Sequence, residues 1–102
     1  NAALVNFTKS MADRGYADGV RVNAINPGVI GTERFESRLN FVAQQSNATL
    51  EQAANIIRDQ SRISRFGRPE EIADMVAYLA SERAGFIQGA IIDIDGGQNR
   101  AV

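Results

Sequence analysis

The chain has 102 residues, of which 44% are hydrophobic and 23% charged, and its formal net charge is -1. These values are typical of one globular domain and argue against a disordered chain. The charge balance provides no basic surface for nucleic acid or an anionic membrane. The chain has no cysteine and no histidine, which excludes disulfides, thiolate metal sites and a histidine base within it. Because no apolar run is long enough to cross a bilayer, we expect a cytoplasmic protein.

The first predicted element is a helix over residues 2–14, because Leu4, Phe7 and Met11 recur at helical spacing on one face. Gly15 is its predicted C-terminal stop. Residue 1 opens directly into the helical pattern, so we expect this segment to continue an earlier part of a longer chain.

A β-branched run over residues 20–26 predicts a short strand. It ends at Pro27 and Gly28, a pair that interrupts regular structure, and the proline also removes a hydrogen-bond donor. The following residues, up to about residue 64, have no strand character.

Two helices are predicted between the strand and residue 64. Thr49 and Gln52 resemble a capping box that would open the second helix. Residues 40–48 are polar, and we predict that they form a mobile link between the two. The apolar positions that define the helices are Phe35, Leu39 and Val42 in the first and Leu50, Ala53, Ala54 and Ile57 in the second.

The last predicted helix has Pro69 as its first residue, Glu70 and Glu71 in its first turn, and an end near Ser81. A loop over residues 65–68 precedes it. Its apolar stripe, which we interpret as core or subunit interface, consists of Ile72, Met75, Val76 and Leu79.

A second strand is predicted over residues 90–94, closed by a turn at residues 95–97. Both strands are apolar on both faces, as is typical of parallel strands covered by helices. A helix between two such strands makes a right-handed crossover. Two strands are fewer than the five or six that such sheets usually contain. The pattern therefore predicts an α/β chain, a single partial domain over residues 1–102, that carries part of a doubly wound parallel sheet.

Four blocks of this sequence resemble the short-chain dehydrogenase/reductase family, in the same order and with the same spacing. The resemblance implies a Rossmann-like fold, NAD or NADP as cofactor, and hydride transfer between an alcohol and a carbonyl on a small-molecule substrate. Residues 2–12 resemble the helix after that family's Tyr-x-x-x-Lys motif, and residues 21–28 with Thr32 resemble its sixth strand and Pro-Gly-x-x-x-Thr turn. Residues 65–73 resemble the start of its last long helix, and residues 89–97 resemble its seventh strand and closing turn.

The resemblance also implies a cofactor site. Pro27, Gly28, Ile30 and Thr32 would lie against the nicotinamide end, with the backbone near Ile30 and the Thr32 hydroxyl meeting the carboxamide or a phosphate. In the same terms the chain divides into a helix after the catalytic motif (1–15), a strand and Pro-Gly turn (20–32), a substrate lid (33–64), a helix (69–81) and a last strand and turn (90–97).

The family's glycine-rich phosphate loop and its catalytic serine and tyrosine belong to segments that would precede this chain. Asn1 stands where the resemblance places the family's lysine. Three interpretations stay open: a divergent family member with asparagine there, a fragment boundary with Asn1 and Ala2 left over from expression, or a different alignment of this edge. We therefore assign no catalytic residue, expect the chain to be inactive by itself, and expect its parent to be an NAD(P)-dependent homo-oligomer assembled through the last helix and strand. The alternative is a non-catalytic α/β module that self-associates through its unpaired strands and has no redox activity.

Several single residues have a structural interpretation beside a functional one. Thr32 could be a turn hydroxyl that bonds only local backbone. The arginines at positions 58, 62, 65 and 68 could bind an anion, but we favour a solvated helix edge. We interpret Asp93 and Asp95 as a strand end and a turn rather than as metal ligands. Tyr16 and Tyr78 have no lysine three or four residues on and are interpreted as packing or surface residues.

Overall fold

A computed structural model describes residues 2–99. Within that range two strands pair in parallel, with Ala24 opposite Ile91 and Pro27 opposite Ile94, so the predicted α/β class and the parallel arrangement are confirmed. None of the described helices combines the length and apolarity needed to cross a membrane. In chain order the elements are α1 (Ala2–Asp18), β1 (Ala24–Pro27), α2 (Glu33–Gln45), α3 (Leu50–Ser61), α4 (Pro69–Ala80), a short 3-10 turn (Glu82–Ala84) and β2 (Ile91–Ile94).

Helix α1 passes through Gly15, and the predicted stop at that residue is wrong. The helix ends at Asp18, and Gly19 follows in the left-handed conformation with φ of +71°. The N–H of Val20 then donates to the Gly15 carbonyl at 2.8 Å, which is the bond of a Schellman motif. A Cβ atom on Gly15 would lie 2.3 Å from the Val20 carbonyl oxygen. Glycine is required there because the chain folds back against the helix.

The face of α1 that is buried differs from its apolar face. Phe7 is 62% exposed and Met11 is also exposed. The buried positions are instead Thr8, Ala12 and Gly15, and Gly89 of the loop before β2 approaches closely at Ala12. Within the described residues, the predicted apolar stripe of α1 is therefore not part of a core.

Strand β1 begins four residues later than predicted, because side chains take over the bonding of the preceding segment. The Asn23 amide donates to the Ile87 carbonyl and accepts from the Ala90 N–H. The N–H of Val22 donates to the Gln88 side chain. The Arg21 guanidinium donates to the carbonyl oxygens of Leu79, Ser81 and Ala84 at 2.8 to 3.0 Å.

The main core lies between α2, α3 and the turn after β1. Residues 40–45 continue α2, so the predicted link over residues 40–48 is wrong for that part, and residues 46–49 lie between α2 and α3. Within the helical part Val42 packs against the core and Ala43 is buried. The capping box is confirmed, with Thr49 N–H donating to Gln52 Oε1 at 2.9 Å and Gln52 N–H donating to Thr49 Oγ1 at 3.1 Å. The buried residues of this core are Val29, Ile57 and Ile63, with Phe35, Leu39, Val42 and Phe66 packed against them.

Helix α4 begins at Pro69, as predicted, and the Glu71 carboxylate accepts a hydrogen bond from the Arg68 N–H at 3.0 Å. No residue of α4 is buried, and Val76 in its apolar stripe is 51% exposed. The stripe is therefore not core within the described part of the chain, which leaves the interface interpretation as a prediction.

Candidate functional site

A cleft of about 690 Å³ opens at the carboxyl ends of the two parallel strands. This is the edge of a parallel sheet at which open α/β folds bind ligands. Its walls come from the turn after β1 (residues 26–30 and Thr32), from the start of α2 (Arg34, Phe35 and Arg38) and from the chain after β2 (Asp95, Gln98 and Asn99).

Gly28 joins the two strand ends at the base of the cleft. Its N–H donates to the Ile94 carbonyl at 3.0 Å. A Cβ atom on Gly28 would lie 2.6 Å from the Cβ of Asp95 and 2.8 Å from its Cα, both much closer than real Cβ contacts. The glycine is therefore needed for the close approach of two backbone segments. Pro27, the last residue of β1, is exposed beside it.

Ile30 presents a free backbone donor. Its segment is bridged to Gly67: the Gly67 N–H donates to the Val29 carbonyl, and the Gly31 N–H donates to the Gly67 carbonyl, both at 2.9 Å. In this parallel pattern the peptide groups of Ile30 itself point away from Gly67. Its carbonyl accepts from the Thr32 N–H at 2.9 Å, and its N–H has no acceptor among residues 2–99.

Thr32 is the N-cap of α2. Its Oγ1 accepts a hydrogen bond from the Phe35 N–H at 3.3 Å, which satisfies one of the helix's orphan donors. A hydroxyl can donate one bond while it accepts others, and the Thr32 proton has no acceptor in the described part of the chain. The predicted structural role of this residue and the predicted ligand role are thus compatible.

All four residues predicted for the cofactor site, Pro27, Gly28, Ile30 and Thr32, line this one cleft. Asn1, the position compared with the family's lysine, lies outside the described residues. Of the two tyrosines, Tyr16 is exposed at the surface, and Tyr78 donates from its hydroxyl to the Arg83 carbonyl at 3.4 Å.

The two carboxylates near β2 are occupied by local hydrogen bonds. Asp93 accepts from the Asn26 amide at 2.9 Å. Asp95 accepts from the Gly97 N–H at 3.0 Å and from the Asn99 N–H at 2.8 Å. These bonds agree with the interpretation of a strand end and a turn. Among residues 2–99 no group of acidic side chains is arranged to hold a metal ion.

The four arginines that sequence analysis singled out serve the scaffold. Arg65 forms a bidentate salt bridge with Glu71 at 2.7 and 3.0 Å. The hydrogen bond from the Arg65 side chain and, after it, the bond from the Arg68 N–H lower the pKa of Glu71 to about 2. The Glu71 carboxylate in turn raises the pKa of Arg65. Arg58 lies over the Phe66 ring at 5.3 Å, and Arg62 ends α3 in the left-handed conformation with φ of 57°.

Arg34 and Arg38 were not predicted as site residues from the sequence. They stand four residues apart on α2, which places both on one side of the helix, and both line the cleft. Neither forms a salt bridge with a residue in the described range. The signal that could have found them is their spacing directly after Thr32.

The chain is similar to known proteins over nearly its whole length. Residues 1–99 match a family model described as enoyl-(acyl carrier protein) reductase. The chain is similar to an acetoacetyl-CoA reductase of Shinella zoogloeoides, 42% identical over 97 residues, which are 95% of this chain and 36% of that protein.

Two solved structures resemble it with a TM-score of 0.88 each. One is a short chain dehydrogenase family protein from Francisella tularensis, 29% identical, with the match covering 95% of this chain and 40% of that one. The other is L-sorbose reductase from Gluconobacter frateurii complexed with NADPH and L-sorbose, 32% identical, covering 99% and 39%. The chain thus spans well under half the length of these relatives. The match confirms the predicted fold class, the C-terminal part of a Rossmann-like, doubly wound parallel sheet.

Proposed function

Because the chain belongs to the short-chain dehydrogenase/reductase family, we propose that it is the C-terminal part of an NAD(P)-dependent oxidoreductase that acts on a small-molecule alcohol or carbonyl. The nicotinamide cofactor, when bound, supplies or accepts the hydride. The residues described here bind and orient the nicotinamide end and cover the substrate.

The observation that carries this proposal is the pair of unused donors in the cleft. The Ile30 N–H and the Thr32 hydroxyl proton have no acceptor among residues 2–99, and both residues line a space of about 690 Å³ at the strand ends. A carboxamide oxygen or a phosphate oxygen is the acceptor that such donors fit. Buried polar groups need hydrogen-bond partners, so a bound cofactor that excludes water from the cleft would supply the acceptors for both donors.

Pro27 and Gly28 shape the site in this proposal. The proline supplies no N–H and stands at the exposed rim, while the glycine lets the turn lie against the chain after β2. Together they hold the segment from 29 to 32 at a fixed distance from the strand ends. Residues 33–64 would form the substrate lid, in which α2 and α3 share one core that also includes Val29 of the turn after β1.

The parent protein supplies what these residues do not. In the proposal, the phosphate-binding loop and the catalytic serine and tyrosine come from the part of the parent that precedes this chain. The uncovered apolar faces of α1 and α4 support contact with that part and with a second subunit. The same exposed faces favour the alternative, a self-associating module without redox activity.

Cofactor binding distinguishes the oxidoreductase hypothesis from the self-associating module. We would titrate NADPH and NADH into the full-length gene product and into the 102-residue chain, following nicotinamide fluorescence. The oxidoreductase proposal expects the full-length protein to bind a nicotinamide cofactor and the 102-residue chain to bind far more weakly. Failure of the full-length protein to bind either cofactor would contradict the proposal and leave the module.

Two threonines give a matched test of the site itself. Thr32 and Thr49 are both helix N-caps, but only Thr32 lines the cleft. Replacing either with alanine removes a cap, whereas only Thr32→Ala removes the proposed cofactor bond. We expect Thr32→Ala to weaken cofactor binding about fivefold, the effect of one hydrogen bond, and Thr49→Ala to leave it unchanged. Equal affinities in the two variants would remove Thr32 from the site.

A further inference from the structure

We propose that Arg34 and Arg38 form an oxyanion-binding pair that selects substrates carrying a carboxylate, sulfonate or phosphate group. This inference rests on the proposed function, since it assigns a substrate class to the same cleft. It adds a specificity-determining element on α2 that stands apart from the turn residues facing the nicotinamide.

The first support is the orientation of α2. Phe35 points into the core, where its ring centroid lies 4.5 Å from that of Phe66. Leu39, four residues on, packs against the same core. This anchoring fixes the rotation of the helix and leaves Arg34 and Arg38, themselves four residues apart, on the side that borders the cleft.

The second support is the absence of an internal partner for these two side chains. Other arginines of the chain are engaged by the scaffold: Arg21 by three carbonyl oxygens, Arg58 by the Phe66 ring, and Arg65 by Glu71. The side chains of Arg34 and Arg38 have neither a salt bridge nor a hydrogen bond within the described range. Two cations therefore border the cleft with their donors open.

The net charge of the cleft also favours an anionic substrate group. Asp95 is the one carboxylate among its lining residues, and it already accepts two backbone N–H bonds. With Arg34 and Arg38 the lining has an excess of one positive charge. Guanidinium groups offer several donors in a planar fork that matches carboxylate and phosphate oxygens, and bonds of this kind are stronger than neutral ones.

The position on the helix favours the substrate over the cofactor as the source of the anion. Thr32 marks the proposed nicotinamide contact. At a rise of about 1.5 Å per residue, Arg38 stands about 9 Å further along α2, in the proposed lid. A substrate whose reacting carbon lies beside the nicotinamide could place a charged end at that distance.

The test uses the full-length protein and paired substrates, ω-oxo-carboxylates and their neutral methyl esters. The variants are Arg34→Gln, Arg38→Gln and the double variant. Arg14→Gln is the charge-matched control, because Arg14 is exposed on α1 and is not a lining residue of the cleft. We expect wild-type protein to prefer the carboxylates, and the double variant to lose about tenfold or more in kcat/KM for them while the esters change little.

Two further measurements separate the possible failures. Calorimetry of a carboxylate binding to the NADPH-loaded protein should show the same loss in the double variant and none in Arg14→Gln, whether or not the compound is turned over. An unchanged carboxylate preference in a protein that still binds NADPH overturns this inference and leaves the proposed function standing. A matching loss of NADPH affinity in the double variant assigns the anion to the cofactor and also overturns it. A protein that binds no nicotinamide at all overturns the proposed function first.

Discussion

The α2–α3 pair and the helices α1 and α4 bury their apolar residues to very different extents. In the pair, Ala53 is 0% and Ile57 is 1% exposed. Helix α4 has an equally regular apolar stripe and no buried residue. Two helices joined by a short turn can cover each other from local sequence alone, whereas helices that flank a parallel sheet need the neighbouring strands to cover them.

The surface area and the radius of gyration of the chain agree with the exposed faces of α1 and α4. Its accessible surface is 7500 Å², against about 5,700 Å² for a folded monomer of this mass. Its radius of gyration is 16.9 Å, against about 13 Å for a compact domain of this length. The large apolar side chains left exposed outside the α2–α3 pair are Phe7, Met11, Tyr16, Val20, Val76, Tyr78 and Phe86.

The largest expected effect is a loss of stability at Ile57, and its absence would contradict the contrast between the α2–α3 pair and α4. Ile57→Ala deletes the most fully buried large side chain and should lower the free energy of unfolding by about 2–5 kcal/mol. Val76→Ala, on the exposed stripe of α4, should change it by less than about 0.5 kcal/mol in the 102-residue chain. Urea unfolding followed by circular dichroism measures both values.

Equal costs for the two variants in the isolated chain would mean that α4 is packed after all. Measuring the Ile57→Ala and Val76→Ala variants in the full-length protein sharpens the comparison of the two regions. There we expect Val76→Ala to become more destabilising, because the remaining chain or a second subunit would cover the stripe, while the cost of Ile57→Ala should stay the same.

A smaller effect is expected at the junction of β1 with the chain after β2. Gly28→Ala places a methyl group 2.6 Å from Asp95, and forced overpacking of this kind costs about 1–3 kcal/mol. Gly31→Ala is the matched control on the same turn, since its Cβ would lie 3.6 Å from the Gly67 carbonyl, an ordinary contact. If thermal denaturation gave the two variants the same melting temperature, the close approach would not be what requires glycine at 28.

The smallest effect concerns how α4 is held without buried residues. Arg65 and the Arg68 N–H lower the pKa of Glu71 from 4.5 to about 2. Because the folded-state pKa is depressed, the carboxylate stabilises the fold at pH values above about 4.5, and this contribution is lost as the pH falls from there toward about 2. Carbon-13 NMR titration of Glu71 measures the value directly.

Two arginine variants test the cause of that shift. Arg65→Gln should raise the pKa of Glu71 toward its ordinary value, because it removes the largest contribution. Arg68→Gln keeps the backbone N–H that bonds the carboxylate and should move the pKa much less. A larger rise in the Arg68 variant would reverse the assignment.

Local signals predicted the elements well. Pro69 as the first residue of α4, the Thr49–Gln52 capping box and the parallel pairing of the two apolar strands were all readable, because each depends on neighbours in the chain or on a short periodic pattern. The four proposed cofactor-site residues fall in one cleft because they are close in sequence and follow one strand.

Predictions that depended on how the chain folds back on itself were wrong or absent. Gly15 proved to be a close-approach residue, because Val20 folds back against it. Residues 40–45 are helical, and Val42 within them packs against the core that contains Ile57 of α3. Arg34 and Arg38 became site residues only when the packing of Phe35 set the rotation of α2.

The sequence by itself determined the order of helices and strands, the start of α4, the capping box of α3, and the family to which the chain belongs, since these depend on side-chain spacing and on short motifs. Only the tertiary structure decided which apolar faces are covered, which glycines separate backbones, and which arginines face the cleft. Burial and approach depend on chain segments far apart in sequence, and no local pattern records where those segments meet.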